Sequence, residues 1–239
     1  MSVQSALQLD HVVIAAATLA DGVAWCEQRF GVTPSAGGQH AFMGTHNRLF
    51  SVASARFPRA YAEIIAIDPA GRAPASPRWF DLDDPQLQRA LQHGPQLIHW
   101  VARTNDIDAS NAAWRGCGID PGQVRSAERD TPSGRLRWQI CLRADGARLF
   151  DGALPTLIQW GEAHPCDLLP DTGVRLDGLL LAGLPGPLLA ACIDVPGVRP
   201  SVQPSVRSSA LDPRAHAPIR ATLTGPLGEV TLDSWHMAD

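Results

Sequence analysis

Lysine is absent from this sequence: all 20 cationic side chains are arginine. Schiff-base formation and lysine general-base work are thereby excluded. The five cysteines, Cys26, Cys117, Cys141, Cys166 and Cys192, stand singly, with no CxxC pair and an odd total. That usage argues for reduced thiols in a cytoplasmic protein and against a disulfide framework or zinc knuckle. No GxSxG, GxGxxG or P-loop pattern occurs, so serine-hydrolase chemistry and a nucleotide cofactor find no support. A net charge of -4 offers no concentrated positive field for nucleic acid or an anionic membrane surface. The opening MSVQSALQLD lacks the basic and long apolar regions of a secretory signal. LDGLLLAGLPGPLLAAC, the longest apolar-rich segment, is broken by Gly and Pro and is too short to span a bilayer.

What is present is an ordinary globular balance, 45% hydrophobic and 18% charged over 239 residues, enough for one large domain or two small ones. A weak internal repeat organises it. LDHVVIAAATLADGVAWCEQRFGV, QLIHWVARTNDIDASNAAWRGCGI and RLDGLLLAGLPGPLLAACIDVPGV share a short apolar strand, a polar turn, an amphipathic helix and a Gly-containing stop. Strand-like runs follow each helix: QHAFMG, HNRLFSVA and YAEIIAID in the first copy; RLRWQICL, ARLFDG and PTLIQWGE in the second; SVQPSVRSS, IRATLTG and GEVTLDS in the third, with GPLG as a hairpin turn. The pattern predicts an α+β fold of βαβββ modules over residues 7–67, 96–165 and 174–236, with a connection carrying one short helix over 68–95. His11 is the anomaly of the first copy, because it interrupts a buried strand as that strand begins. A buried imidazole must be satisfied by neighbours or aimed at something.

These residues resemble the glyoxalase-like domain proteins of the vicinal oxygen chelate superfamily. The resemblance rests on LDHVV, GGQHAFMGTHN (residues 37–47) and YAEII in the first module, and on LIHW, GRLRW, LPTLIQW and the following HP in the second. It covers residues 7–165. It implies paired βαβββ modules whose sheets curl into a cup, with metal ligands projecting from the first and last strands of each module. Carried onto this chain, those ligands are His11, Glu63, His99 and Gln159, holding a divalent ion such as Zn, Ni, Mn or Fe. Strand positions agree: His11 and His99 hold equivalent places in LDH and LIH, Glu63 and Gln159 hold equivalent places near the close of YAEII and TLIQW, and Tyr61, Glu63 and Ile65 share a face on which a buried carboxylate needs a partner. In the third copy Gly178 stands where His11 does in the first, so that module reads as scaffold.

Around the cup, His40, His46, Asn47, Arg137 and Trp138 are candidate substrate contacts, and Arg48 or Arg137 could clamp a carboxylate. Trp100 and Trp160 follow or precede candidate ligands in sequence and therefore read as core on the opposite strand face, while Trp79 belongs to the same group of indoles suited to wall a pocket. The resemblance implies a lyase or isomerase acting on a small carbonyl or carboxylate compound, with His11, Glu63 and His99 catalytic through Lewis acidity or proton transfer. Two alternatives stay open: a non-haem Fe(II) ring-cleaving dioxygenase, since two imidazoles and a carboxylate describe that ligand set, and a metal-free protein that sequesters a small ligand. A third βαβββ unit without a mate also suggests either a homodimer that would cover its open face or packing of that unit back upon the first two modules.

Overall fold

The run of β-branched and aliphatic residues in β1 (Gln8–Ala15) is buried on both faces, the mark of a central strand. The structure, a computed structural model, describes residues 7–131, 134–184, 195–200 and 217–235. After β1, Thr18 caps the helix α1 (Leu19–Phe30) by accepting from the Asp21 N–H, and Gly31 ends it in the left-handed region at φ 69°. Three strands follow, β2 (Ser35–His40), β3 (Thr45–Ser51) and β4 (Tyr61–Ile67). The connection holds α2 (Pro85–Leu91), capped by Asp84 with Pro85 at its first position. The pattern then recurs as β5 (Gln96–Arg103), α3 (Ile107–Gly116), β6 (Gln123–Thr131), β7 (Gly134–Leu142) and β8 (Thr156–Trp160).

These eight strands form one sheet in the order β2-β3-β4-β1-β5-β8-β7-β6. β1 pairs parallel with β4, β5 pairs parallel with β8, and β1 and β5 join the halves antiparallel. The sheet curls until its two edges approach. Arg129 on the β6 edge lies so close to Gly38 on the β2 edge that a Cβ on that glycine would stand 2.2 Å from the guanidinium Nη1. The fold is therefore the cupped α+β architecture expected. One apolar core fills the concave side, where Val13, Ile65, Val101, Ile140 and Ile158 meet Trp79, Phe80 and Leu82 of the connection and Leu87 and Leu91 of α2. A second lies on the convex side, under α1 and α3.

A smaller sheet of β9 (Arg175–Leu181), β10 (Val198–Pro200), β11 (Ile219–Gly225) and β12 (Gly228–Asp233), ordered β10-β9-β11-β12, covers that convex core. Alternate residues Leu176, Leu179, Leu181, Ile219, Ala221 and Leu223 point into it. Thr172 Oγ1 donates to the Ser51 carbonyl, the Leu176 N–H to the Val52 carbonyl and the Trp235 N–H to the Leu97 carbonyl, stitching the two sheets together. The third module thus packs back upon the first two, one of the two covers expected for it. The helix expected in the third copy and the strand SVQPSVRSS fall outside the described residues. Among the described residues no helix is long and apolar enough to cross a membrane.

Two local expectations are corrected. QHAFMG supplies only the end of β2, since residues 41–44 turn, with Gly44 at φ 58°. ARLFDG is not a strand but a 3-10 turn over Leu149–Gly152, with Phe150 and Asp151 at positive φ. The cause is Arg148, whose fully buried side chain is drawn inward by Asp81 at 2.8 Å. The missing strand is β6, whose QVRSAERDT lacks an apolar alternation because it is a charged sheet edge.

A close approach of α1 to β4 tests this packing. A Cβ on Gly22 would stand 2.4 Å from Ile64 Cγ2, whereas one on Gly116 would meet nothing within 4 Å. In urea denaturation, Gly22→Ala is expected to destabilise by about 1–3 kcal/mol through overpacking, and Gly116→Ala to be neutral or stabilising by up to about 1 kcal/mol.

Candidate functional site

On the concave side, β1 and β4 bring His11, Tyr61 and Glu63 to one face, because the parallel register sets His11 against Tyr61 and Val13 against Glu63. His11 Nδ1 donates to Asp10 Oδ1 at 2.7 Å. Its Nε2 faces Glu63 Oε2 at 3.6 Å, and its ring stacks on Tyr61 at 4.5 Å between centroids. The neighbour Asp10 is 0% exposed and also accepts from Trp160 Nε1 at 3.0 Å and His164 Nε2 at 2.9 Å. His164 Nδ1 accepts the Cys166 N–H, so the ring proton sits on Nε2. Arg103 stands 3.8 Å behind the same carboxylate.

Electrostatics follow from this chain of contacts. Burial would raise Asp10, but hydrogen bonds from His11 and His164 hold it far below the usual carboxylate range. Burial would lower His11, yet its hydrogen bond to Asp10 and the facing Glu63 carboxylate prevail and raise it to about 9. Glu63, opposed by burial but held by His11 and Asn47, is lowered to about 2. The site therefore contains a buried imidazolium between two carboxylates.

His40 and Asn47 join the same cluster. Asn47 Nδ2 donates to Glu63 Oε1 at 2.6 Å and approaches His40 Nε2 at 3.4 Å, while its Oδ1 accepts the Gly38 N–H. His40 Nε2 thus accepts and Nδ1 donates to Thr45 Oγ1 at 3.0 Å. Burial lowers His40 to about 4, and it is neutral. Trp138 lines the cavity over His11 and Glu63 together with Phe80, Arg129 and Trp160. The cavity measures about 40 Å³, room for a few non-hydrogen atoms.

The four expected ligands do not assemble. Gln159 points to the other face of β8, where its Oε1 accepts the Ile107 N–H at the start of α3 at 2.8 Å. The register gives the reason. Glu63 pairs two residues beyond His11, and the residue pairing two beyond His99 is Thr156, through Val101. Thr156, not Gln159, is the structural counterpart of Glu63. Alternation then turns Trp160 into the cup, against the expectation that it was core, while Trp100 does lie in the convex core and donates to the Ala153 carbonyl.

His99 faces the cup one diagonal step from His11, but both its nitrogens are engaged. Nδ1 donates to the Gly152 carbonyl at 3.2 Å and Nε2 accepts from Thr156 Oγ1 at 3.0 Å. Burial and Arg148 lower it to about 3. It lines a separate cavity of about 450 Å³ beyond Trp79 and Phe80, which border both spaces. Of the remaining candidates, His46 lies outside the cluster, 3.9 Å from Asp68. Arg137 is exposed and pairs with Glu128, and Arg48 pairs in register with Ile64 of β4, on the convex side of the sheet.

A divalent ion would find two donors free, His11 Nε2 and Glu63 Oε2. Among the described residues no three His, Cys, Asp or Glu side chains come together as an ion-holding group. The donor set as it stands does not fit a resident metal. Residues that carry the site and were not singled out in sequence are Asp10, Tyr61, Phe80, Arg129 and His164. Three had a local signal: Asp10 as the middle of LDH, Tyr61 by strand alternation with Glu63, and His164 as the HP after the closing strand.

Comparison with known proteins places these observations in a family context. Residues 9–191 match the family described as a glyoxalase-like domain. A hypothetical protein from Staphylococcus aureus superposes with a TM-score of 0.52 at 14% identity, over 95% of this chain and 86% of that one, so the two share a fold. Methylmalonyl-CoA epimerase from Mycobacterium tuberculosis aligns with a TM-score of 0.39 at 20% identity, over 68% and 93% of the two chains. The epimerase from Streptomyces coelicolor gives 0.40 at 17%, over 67% and 99%. No curated protein matches.

Two measurements check the geometry. His11 binds a proton more tightly when folded, so its contribution is complete below its ordinary 6.5 and is lost as pH rises to about 9. His40 and His99 bind one less tightly, so stability falls as pH drops from 6.5 toward about 4 and about 3, joined by Glu63 between its ordinary 4.5 and about 2. Stability in urea is expected to peak near pH 6.5, with limbs of about 1.4 kcal/mol per pH unit per proton, and His11→Gln should flatten the alkaline limb. Gln159→Leu should destabilise by about 1 kcal/mol through the orphaned Ile107 N–H and leave that pH profile unchanged.

Proposed function

The chain belongs to the glyoxalase-like domain family of the vicinal oxygen chelate superfamily, and from that premise we propose that it is an isomerase- or lyase-type enzyme acting on a small carbonyl or carboxylate compound in the cup. The observation that carries this reading is the His11 ring held between the Asp10 and Glu63 carboxylates at the wall of a cavity, an arrangement that raises its proton affinity. A merely structural histidine in a core is satisfied while neutral, as His40 and His99 are here. His11 instead stores a proton next to a carboxylate able to receive one.

Glu63 serves as the base for a C–H beside the substrate carbonyl. His11 donates from Nε2 to the oxygen on which negative charge develops, with Asp10 fixing the ring and balancing its charge. When that oxygen becomes the partner of the His11 Nε2–H, Glu63 feels less of the attraction from His11 that lowers it, and its basicity rises. Asn47 keeps the carboxylate oriented throughout.

Divalent metals are common in this superfamily, and one feature here favours a metal as a second reading: a histidine backed by a carboxylate at its far nitrogen is the usual support of a ligand. A third ligand would require His99 to leave Thr156 and Gly152. The dioxygenase alternative needs the same release, while the sequestering alternative gives the His11 proton no task.

The test is α-proton exchange in D₂O, followed by NMR over a panel of small 2-oxo and 2-hydroxy compounds, with and without chelator. The expected result is exchange that survives chelation and falls at least about 100-fold in Glu63→Gln. Exchange at the wild-type rate in Glu63→Gln would sink the proton-transfer reading, and exchange restored only by added metal would replace it with the second.

A further inference from the structure

One cation on the cavity wall has no task in the chemistry above. Arg129 projects from β6 across the mouth of the cup to the space over His11 and Glu63. Its Nη1 is buried and has no hydrogen-bond partner. A buried guanidinium N–H without an acceptor is expensive to maintain, and such donors are normally satisfied. By contrast, the donors of Arg103, the other cation near this cluster, are engaged: Nη1 bonds the Leu9 carbonyl and Nη2 bonds Gln8 Oε1.

The seat of Arg129 is also shaped for it. It passes over Gly38, where a Cβ would stand 2.2 Å from Nη1 and 2.9 Å from Cδ. Gly38 has no positive φ, so its lack of a side chain serves the passage of the arginine rather than a backbone turn. Glu63, the carboxylate whose charge acts on Arg129, is already held by Asn47 and faced by His11. Counting Asp10 and Glu63 against His11, Arg103 and Arg129, the cluster carries one positive charge in excess.

We propose that Arg129 binds an anionic oxygen of the ligand in this cavity, and that the compound taken over His11 and Glu63 is accordingly a small carboxylate. The inference rests on the cup being the substrate site, as proposed above, and narrows its substrate class. A carboxylate oxygen on Nη1 would satisfy the buried donor and neutralise the excess charge in one contact. The cavity of about 40 Å³ limits the ligand to a few non-hydrogen atoms near the reacting centre. A guanidinium at that point also discriminates against the uncharged analogue of the same shape.

Glycolate and glycolamide, matched in shape and differing in charge, make the test. Binding is read from the fluorescence of Trp79, Trp138 and Trp160, which line the same cavity. The wild-type chain should bind glycolate at least about tenfold more tightly than glycolamide, as expected for a charge-assisted bond. Arg129→Gln should abolish that preference and Arg129→Lys keep part of it. Gly38→Ala retains the arginine but places a methyl group in its seat, and because the displaced atoms end a flexible side chain the fold should survive. It should weaken the preference as Arg129→Gln does. A preference unchanged in Arg129→Gln and Gly38→Ala, or no preference in the wild type, overturns the proposal. Glu63→Gln separates the two claims, since it should lose proton exchange yet keep the glycolate preference. Loss of the preference with exchange intact would remove only the anion site, and the reverse would remove only the catalytic reading.

Discussion

Asp10 has no contact with solvent, and an ionised carboxylate in that position is tolerable only because His11, Trp160 and His164 donate to it from three directions. Those partners come from β1, β8 and the segment after β8, so the carboxylate binds the two ends of the first 165 residues into one charged cluster. Its further effect is on His11. Without Asp10 the imidazole would lose its proton to burial, as His40 and His99 have done. With Asp10 it stays charged and faces Glu63. The proton affinity of His11 thus depends on a residue that does not line the cavity.

The two halves of the large sheet share a register but not a chemistry. In the first, a carboxylate faces a charged imidazole; in the second, a hydroxyl faces a neutral one. Trp79 and Phe80, stacked 5.3 Å apart, stand between the two resulting spaces. Phe80 and Asp81 adopt φ of 61° and 57°, strain of about 1–3 kcal/mol each for residues of that kind. The pairing of Asp81 with the buried Arg148 holds them there. One half is therefore a small charged chamber and the other a roomier one, divided by an aromatic plug under tension.

Much of this was legible along the chain. The strand-helix plan repeated in the first two copies, the short helix in the connection, the GPLG hairpin and the family resemblance all follow from local pattern, because periodicity and turn chemistry act over a few residues. His11, Glu63, His40, Asn47 and Trp138 were also legible as candidates, and they line one cavity. The errors arose where a tertiary partner overrode local pattern: Arg148 drew ARLFDG out of extension, and the polar β6 gave no apolar signal because an edge strand needs none.

The instructive failure is Gln159, whose place in TLIQW parallels that of Glu63 in YAEII only if both closing strands start in the same register. By itself the sequence determined which segments become strands and helices, since those follow from each residue's own stereochemistry and from apolar spacing. Only the tertiary structure decided which way β8 faces, since an offset of three residues reverses the side-chain direction of every position. It alone brought Asp10, Arg129 and His164 to one imidazole, because convergence of charges distant in the chain is set by sheet curl and pairing, which no local window contains.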